Sequence, residues 1–317
     1  MKKEEKEQFK KKVVQLLQEK MGSDYEVKVH EVLKTNVSLD GVTIVDKKNA
    51  STLIPTIYLN EFYNDYASDM ELNEIVDAIV ESYRSSCHSA VLDTEQLLDF
   101  EQSKAKVCCK LINIALNENR LKEIPYVKYL DLAVVFYLVV HMDKKGCSSM
   151  LVNNALIKHW GVDTDTLYAI GMDNTKNLFH CQIRDMEDLL MEAIIQDYEN
   201  RGIVVGDEMI ASIKMQLKDN VTLPMYVLSN DKWMQGSILM TDVDVLEEFA
   251  YTHDASYVII IPATLHEVIL IPTGSLRWVD MLNEVVQKVN EDDLSKEDQL
   301  SDHCYLYKRG ANKINVL

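Results

Sequence analysis

The stretch that decides the fold is YVIIIPATLHEVILIP, Tyr257–Pro272. Two runs rich in β-branched residues flank a short polar segment, which predicts two buried antiparallel strands joined by a reversal. Pro262 ends the first strand because it cannot donate to a ladder. The reversal therefore covers Ala263 to Glu267.

The surrounding sequence extends this hairpin into a larger unit. Upstream, PMYVLSN (224–230) and GSILMT (236–241) predict another hairpin, followed by a helix that carries Val245, Leu246 and Phe249. Downstream, a helix starts near Ser275 and HCYLYKR (303–309) predicts a closing strand. The order ββαββαβ predicts a mainly antiparallel sheet covered by helices, which is an α+β fold.

Two further units are predicted before this one, so that the chain divides into 1–100, 101–220 and 221–317. The first contains an amphipathic N-terminal helix, strands YEVKVHEVLK and GVTIVDKK around an SLDG turn, and a helix with an apolar stripe from Leu72 to Tyr83.

The middle unit centres on the apolar run Leu132–Val140, which predicts a strand covered on both faces. SMLVN is expected to pair with it through a turn at Lys144–Gly146. Three helices follow: one over 154–160 that Gly161 ends, one over 164–172, and one with an apolar stripe from Met186 to Ile194.

The charge balance argues against two classes of partner. The 317 residues include 51 acidic and 33 basic residues, a formal net charge of −18. This charge repels nucleic acid phosphates and anionic lipids, so we expect no direct nucleic acid partner and no membrane partner. An acidic inhibitor of a nucleic-acid-binding protein is a less favoured alternative. The N-terminus lacks the apolar segment of a signal peptide, and a cytoplasmic protein is expected.

Known catalytic signatures are absent from the sequence. It contains no dinucleotide or phosphate-binding glycine loop, no GxSxG elbow and no HExxH. The six cysteines show no CxxC spacing, which fits a reducing compartment, and the adjacent His–Cys pairs lack zinc-ligand spacing. We expect no cofactor and no metal.

His266 and Glu267 in the reversal are the main candidates for chemistry. A histidine next to a carboxylate can serve as a general base or a ligand, with His141 as a third group. The alternative, in which both residues serve only the turn, is favoured. Polar residues suit a turn because its backbone groups face water, and adjacent residues of a strand point to opposite faces, so the two side chains would not act on one atom.

An aromatic cluster is the second candidate. Tyr58, Phe62, Tyr63 and Tyr66 could form a protein-binding face, because tyrosine is enriched in interfaces. The alternative, a small core packed under the Leu72–Tyr83 helix, is favoured by the apolar stripe of that helix.

Several blocks together resemble a bacterial family of unknown function, domain-of-unknown-function family 5688. They are PTIYLNEFYNDYASDMELNEIVDAIVESY, LDLAVVFYLVV, LYAIGMDNTKNLF, MYVLSND and YVIIIPATLHEVILIP. The resemblance spans Tyr25 to Tyr307 and implies a cytoplasmic bacterial protein without an assigned activity. It also implies serines at the start of the last reversal, where this chain has Ala263 and Thr264.

Two functions are therefore expected. The first is a non-enzymatic interaction or regulatory protein that uses the 58–66 aromatics or the reversal, with Thr264, His266 and Glu267, as its contact surface. The alternative is a small-ligand-binding protein or hydrolase in which His266, Glu267 and His141 meet in a cleft. The absence of catalytic motifs favours the first.

Overall fold

The computed structural model describes residues 3–48, 55–68, 70–86, 94–143, 146–220 and 223–317. The chain divides into two compact units, Met1–Ser103 and Lys104–Leu317. Helices cover mainly antiparallel sheets in both, which confirms the predicted α+β class. The division into three units stays a prediction. None of the helices in the described ranges combines the length and apolar composition that a bilayer span requires.

The first unit packs helices against a three-stranded sheet of order β1-β2-β3. Its elements are α1 (Lys3–Met21), β1 (Tyr25–Leu33), β2 (Ser38–Asp46), β3 (Thr56–Tyr58), α2 (Asn60–Ala67), α3 (Leu72–Ser86), α4 (Thr94–Leu98) and α5 (Phe100–Ser103). Apolar side chains of α1 and α3 form its core with the sheet: Phe9, Val13, Leu17, Ile75, Val76 and Ile79 are all buried.

The turn between β1 and β2 differs from the sequence prediction. SLDG lies inside β2, and the reversal is made at Lys34–Val37, where the Lys34 N–H donates to the Val37 carbonyl at 2.9 Å. Asn36 supplies the left-handed backbone of this turn with φ 61°. Asparagine tolerates that conformation better than most residues, so the turn needs no glycine.

The second unit contains two sheets. Its elements are β4 (Val107–Asn113), β5 (Tyr126–Tyr129), β6 (Leu132–Asp143), β7 (Gly146–Leu151), α6 (Asn154–Trp160), α7 (Thr164–Leu178), β8 (Cys181–Asp185), α8 (Met186–Asn200), α9 (Asp207–Asn220), β9 (Tyr226–Asn230), α10 (Val243–Thr252), β10 (Tyr257–Ile261), β11 (Val268–Thr273), α11 (Val279–Asp292), β12 (Tyr305–Lys308) and β13 (Ile314–Val316). The first sheet has the order β4-β6-β5, with β7 also paired to β6. The second has the order β13-β12-β10-β11-β9-β8.

The predicted strands at the centre of both sheets are confirmed. The Leu132–Val140 run lies within β6, and the YVIII and VILIP runs form the antiparallel β10–β11 hairpin. The predicted partner of β6 is β7, although Lys144 and Lys145 of the predicted turn lie outside the described residues. Gly161 ends α6 with φ 66°, as predicted for a left-handed helix cap.

The predicted hairpin of PMYVLSN and GSILMT is wrong. PMYVLSN supplies β9, but Gly236–Thr241 forms a short 3-10 helix, so the C-terminal order is βαββαββ rather than ββαββαβ. Gln235 precedes this helix in a left-handed conformation, φ 53°, which turns the chain out of the strand direction. The apolar residues from Ile238 to Met240 resemble a strand because they are buried, but a helical turn buries them.

Alternation along the strands assigns the helices of the second sheet to opposite faces. Ile259 and Ile271 share a core with Leu282 and Val286, so α11 covers their face. Tyr226 and Tyr307 lie on the other face, which α10 covers through Phe249 and Glu247.

Candidate functional site

The predicted reversal is a closed turn held by its own side chains. The Thr264 hydroxyl donates to Glu267 Oε1 at 2.6 Å and accepts from the His266 N–H at 2.9 Å. The Thr264 N–H donates to the Glu267 carbonyl at 3.1 Å. The three polar side chains therefore lie together, and Thr264 and Glu267 fix the shape of the turn.

His266 ties this turn to the segment that follows β9. Its Nδ1 accepts from the Gln235 N–H at 3.2 Å, and its carbonyl accepts from the Ser229 hydroxyl at 2.8 Å. Its Nε2 lies 3.8 Å from Asp298 Oδ1. Since Nδ1 accepts a hydrogen bond, the neutral ring carries its proton on Nε2. The imidazole thus holds backbone in place.

His141 occupies a different sheet. It is exposed on β6, where it pairs with Ser148 of β7 after a register shift between Val139 and His141. His266 and Glu267 lie between β10 and β11 of the second sheet. The structure therefore places His141 on a different sheet from the other two candidates.

The aromatic candidates lie in the first unit, around its core. Tyr63 is 4% exposed, stacks edge-to-face on Phe9 at 5.3 Å, and donates its hydroxyl to Asp40 at 2.5 Å. Burial, with the Asp40 hydrogen bond, raises the pKa of Tyr63. Phe62 and Tyr66 pack against the same core as partly buried residues. These contacts fit the alternative prediction, in which the aromatic residues pack in a small core.

Tyr58 is placed differently from the other three aromatics. The ammonium of Lys34 lies 4.0 Å from the centre of its half-buried ring. This is a cation–π contact within the first unit. A protein-binding face at Tyr58 stays a prediction.

The structure brings together a polar cluster that the sequence reasoning did not assemble. Asp131, between β5 and β6, accepts from the Tyr305 hydroxyl at 3.0 Å and lies 3.5 Å from His303 Nε2. His303 Nδ1 lies 2.8 Å from Asp302 Oδ1, and the buried Ser301 hydroxyl lies 3.3 Å from the same nitrogen. The cluster lines a cavity of about 330 Å³ between the ends of the two sheets.

The electrostatics of this cluster favour the charged forms of His303 and Asp131. The hydrogen bond to Asp131 raises the pKa of His303 against the opposing effect of burial, and Asp302 adds to the rise. Burial alone would raise the pKa of Asp131, but hydrogen bonds from His303 and Tyr305 outweigh it and the pKa lies below its usual range. Protonation of the imidazole is therefore favoured between the two carboxylates, and the contact connects the β5–β6 turn to the segment before β12.

A second opening lies on the α10 face of the second sheet, beside its edge strand β8. Cys181, Ile183 and Asp185 point to this face together with Tyr226, because they alternate along β8 and pair in register with β9. The groove between β8 and α10 has a volume of about 520 Å³. Its lining residues are Cys181, Ile183, Asp185, Tyr226, Val245, Glu248, Phe249, Thr252 and His253.

Three rings form one wall of this groove. Tyr226 lies 5.3 Å from Phe249 and 4.5 Å from His253, both edge-to-face, and the Phe249 and His253 rings are 4.2 Å apart. His253 Nδ1 lies 2.9 Å from the Phe249 carbonyl, which can only accept, so Nδ1 carries a proton. The hydrogen bond fixes the imidazole within the ring cluster.

Carboxylates predominate among the charges that act on the groove. Burial raises the pKa of Tyr226, and the carboxylates of Asp185 and Glu187 raise it further. The pKa of Cys181 is raised by desolvation of its thiol and then by the charges of Asp242 and Glu248. Burial is the largest cause of both shifts, the carboxylates add to it, and Lys176 partly opposes the rise at Cys181.

A model of a family of unknown function, DUF5688, matches residues 6–309. The chain belongs to this family. The match covers nearly the whole sequence and confirms the resemblance drawn from its blocks. No curated protein and no solved structure matches the chain.

The features of this DUF5688 protein that sequence reasoning missed are assembled from distant segments. The cavity cluster joins Asp131 to Ser301–His303, and the groove joins β8 and β9 to α10. The sequence carried one partial signal, the adjacent pair His303–Cys304. Pairing of strands that are far apart in sequence could not be predicted from local patterns.

The ion pair of this DUF5688 protein predicts a pH-dependent contribution of His303 to stability. A histidine whose folded pKa exceeds its unfolded value of about 6.5 stabilises the fold fully below that value, and the effect is lost as pH rises through the folded pKa. We expect His303→Gln to lower the free energy of unfolding by about 1 kcal/mol at pH 6. The deficit should shrink at pH 9.

Urea unfolding at the two pH values measures this difference. His159→Gln, which removes an exposed imidazole from the same unit, is the matched control. An equal deficit for His303→Gln at pH 6 and pH 9 would contradict a charged His303.

Proposed function

We propose that this protein is a non-enzymatic interaction protein that binds a positively charged segment of a partner protein in the groove between β8 and α10. The observation that carries the proposal is that one opening combines a wall of three rings with the carboxylates of Asp185 and Glu248. Aromatic faces and carboxylates both attract cations, and guanidinium groups use both.

The size of the groove supports a side chain as the guest. Pockets that hold small ligands measure roughly 300–1,000 Å³, and the groove is within this range at about 520 Å³. An arginine or lysine side chain can enter with its apolar stem against Ile183 and Val245 and its charged head at the carboxylates. The groove thus suits an extended basic segment better than a single ion.

The charge of the whole chain supports the same kind of partner. A formal charge of −18 attracts basic segments at long range and raises the rate of encounter. Lys176 is a cation near the groove, but its ammonium is paired with Asp242 at 2.6 Å. The negative field is therefore only partly offset.

The alternative, a small-ligand-binding protein or hydrolase at His266 and Glu267, has weaker support. His266 Nδ1 accepts from backbone and Glu267 accepts from Thr264, so both groups already serve the turn. A general base needs a free lone pair directed at its substrate.

Histidine resonances offer a local test of the proposed groove. The chain has eight histidines, and among those in the described ranges His253 lines the groove. We expect octaarginine to shift the ¹³Cε1 resonance of His253 in a saturable manner, because the guanidinium groups change the field at the ring cluster. Octaglutamate of equal length is the control and should leave it in place.

The His253 resonance is assigned as the signal that disappears in the His253→Gln variant. The other histidines, including His266 and His303, serve as internal controls for diffuse charge effects. Equal shifts at all histidines, or none at His253, would contradict binding in the groove.

A further inference from the structure

Lys110 is a cationic residue in an apolar part of the second unit. It lies on β4 directly opposite Val135 of β6, so the two side chains share one face of the sheet. The neighbouring cross-strand pairs of this face belong to apolar clusters, Ile112–Ala133 on one side and Cys108–Tyr137 on the other. The aliphatic stem of Lys110 therefore lies between two apolar clusters.

The amine of Lys110 has no counter-charge. Within the described ranges, no carboxylate pairs with its Nζ and no oxygen accepts a hydrogen bond from it. The charge that acts on it is positive and belongs to Arg120, in the 3-10 turn Arg120–Lys122. Burial, and secondly this positive charge, lower the pKa of Lys110 to about 8. The residue is only partly buried, so solvent reaches part of it.

The lowered pKa leaves a substantial share of the amine unprotonated near neutral pH. At pH 7, about one tenth of the amines with a pKa of about 8 are neutral. This share is roughly 200-fold larger than for an ordinary lysine, whose pKa is about 10.4. Because only the neutral amine has a lone pair, Lys110 is a stronger nucleophile than an ordinary surface lysine.

We propose that Lys110 binds carbon dioxide as a carbamate that the guanidinium of Arg120 stabilises. The lone pair of the neutral amine forms a bond to the carbon of carbon dioxide, and one C–O π pair moves onto oxygen. The nitrogen then releases one proton to solvent. The product carries one negative charge, and the step needs neither an oxidant nor a reductant.

The charge of Arg120 favours this electrophile over others that react with amines. An ammonium at Lys110 is repelled by Arg120, whereas a carbamate is attracted, since guanidinium donates two parallel hydrogen bonds to a carboxylate. An acyl group or a neutral aldehyde removes the repulsion without adding attraction. Lys110 lines neither the groove beside β8 nor the cavity at Asp131, and a carbamate adds only a carbon and two oxygens.

Chemical trapping in the wild-type protein tests the site without a substitution. Triethyloxonium ion converts a carbamate into a stable ethyl ester, which peptide mass spectrometry then locates. After equilibration with bicarbonate at pH 8, we expect the ester on Lys110 at least about tenfold more often than on Lys128. Lys128 is an exposed lysine of β5 on the same sheet face. No ester at Lys110, or as much at Lys128, overturns the proposal, as does an ester that forms equally without bicarbonate.

A pair of substitutions tests the part played by Arg120. Arg120→Gln should reduce trapping at Lys110 about fivefold, because the carbamate loses its cation and the amine is protonated more readily. Lys122→Gln removes one positive charge from the same 3-10 turn at an exposed position and should change trapping less than about twofold. Circular dichroism establishes that both variants are folded. Equal trapping in the two variants overturns stabilisation by Arg120.

Discussion

Gly236→Ala is expected to lower the free energy of unfolding of the second unit by about 3 kcal/mol. Gly236 is buried where the chain leaves β9 and passes beneath the His266 turn. A β-carbon there would lie 2.6 Å from the His266 carbonyl oxygen and 2.9 Å from Ser229 Cα, and it would also collide with the Ser229 hydroxyl. Two of the three atoms belong to backbone, so no side-chain rotation relieves the overlap.

Tryptophan fluorescence during urea unfolding measures this effect selectively. All three tryptophans, Trp160, Trp233 and Trp278, lie in the second unit. Gly274→Ala is the control, since a β-carbon at Gly274 meets no atom within 4 Å, and its effect should stay within about 0.5 kcal/mol. A Gly236→Ala protein as stable as Gly274→Ala would show that the turn and β9 are not closely packed.

The close packing around Gly236 also explains the role of the segment between β10 and β11. The PATLHE segment turns the chain and carries the contacts that lock Gly236 and Ser237 beneath it. The Ser237 hydroxyl donates to the Leu265 carbonyl at 2.7 Å, and the Leu265 N–H donates to the Asp298 carbonyl at 2.9 Å. Its polar residues are explained by hydrogen bonds within the fold.

Local sequence patterns were sufficient to predict much of the fold. The β6 run and the β10–β11 hairpin could be predicted because β-branched residues fill a buried strand and short polar segments end it. The α6 boundary followed from a glycine in a left-handed cap. These features depend on neighbours within a few residues.

Other features depend on backbone conformation or on distant partners. The 3-10 helix at Gly236–Thr241 has the composition of a strand, and the left-handed Gln235 that redirects the chain has no sequence signature. β8 joins the last sheet across 40 residues that contain two helices. The groove exists only because of that pairing, so the sequence did not predict it.

Glu248→Lys is the substitution expected to affect partner binding most strongly. Glu248 is an exposed residue of α10 that lines the groove beside Phe249. The change replaces attraction for a basic segment by repulsion at the same place. The lost attraction and the new repulsion, at about 1 kcal/mol each, together correspond to roughly thirtyfold weaker binding. Glu199→Lys on α8 makes the same change in net charge at another exposed position and should weaken binding about threefold or less.

Calorimetric titration of octaarginine into wild-type protein, Glu248→Lys and Glu199→Lys at equal ionic strength tests the central claim most directly. Saturable binding to wild type, nearly retained in Glu199→Lys and about thirtyfold weaker in Glu248→Lys, is the predicted result. Equal weakening in both variants would mean that the peptide responds to net charge alone. That result would contradict a cation-binding groove between β8 and α10.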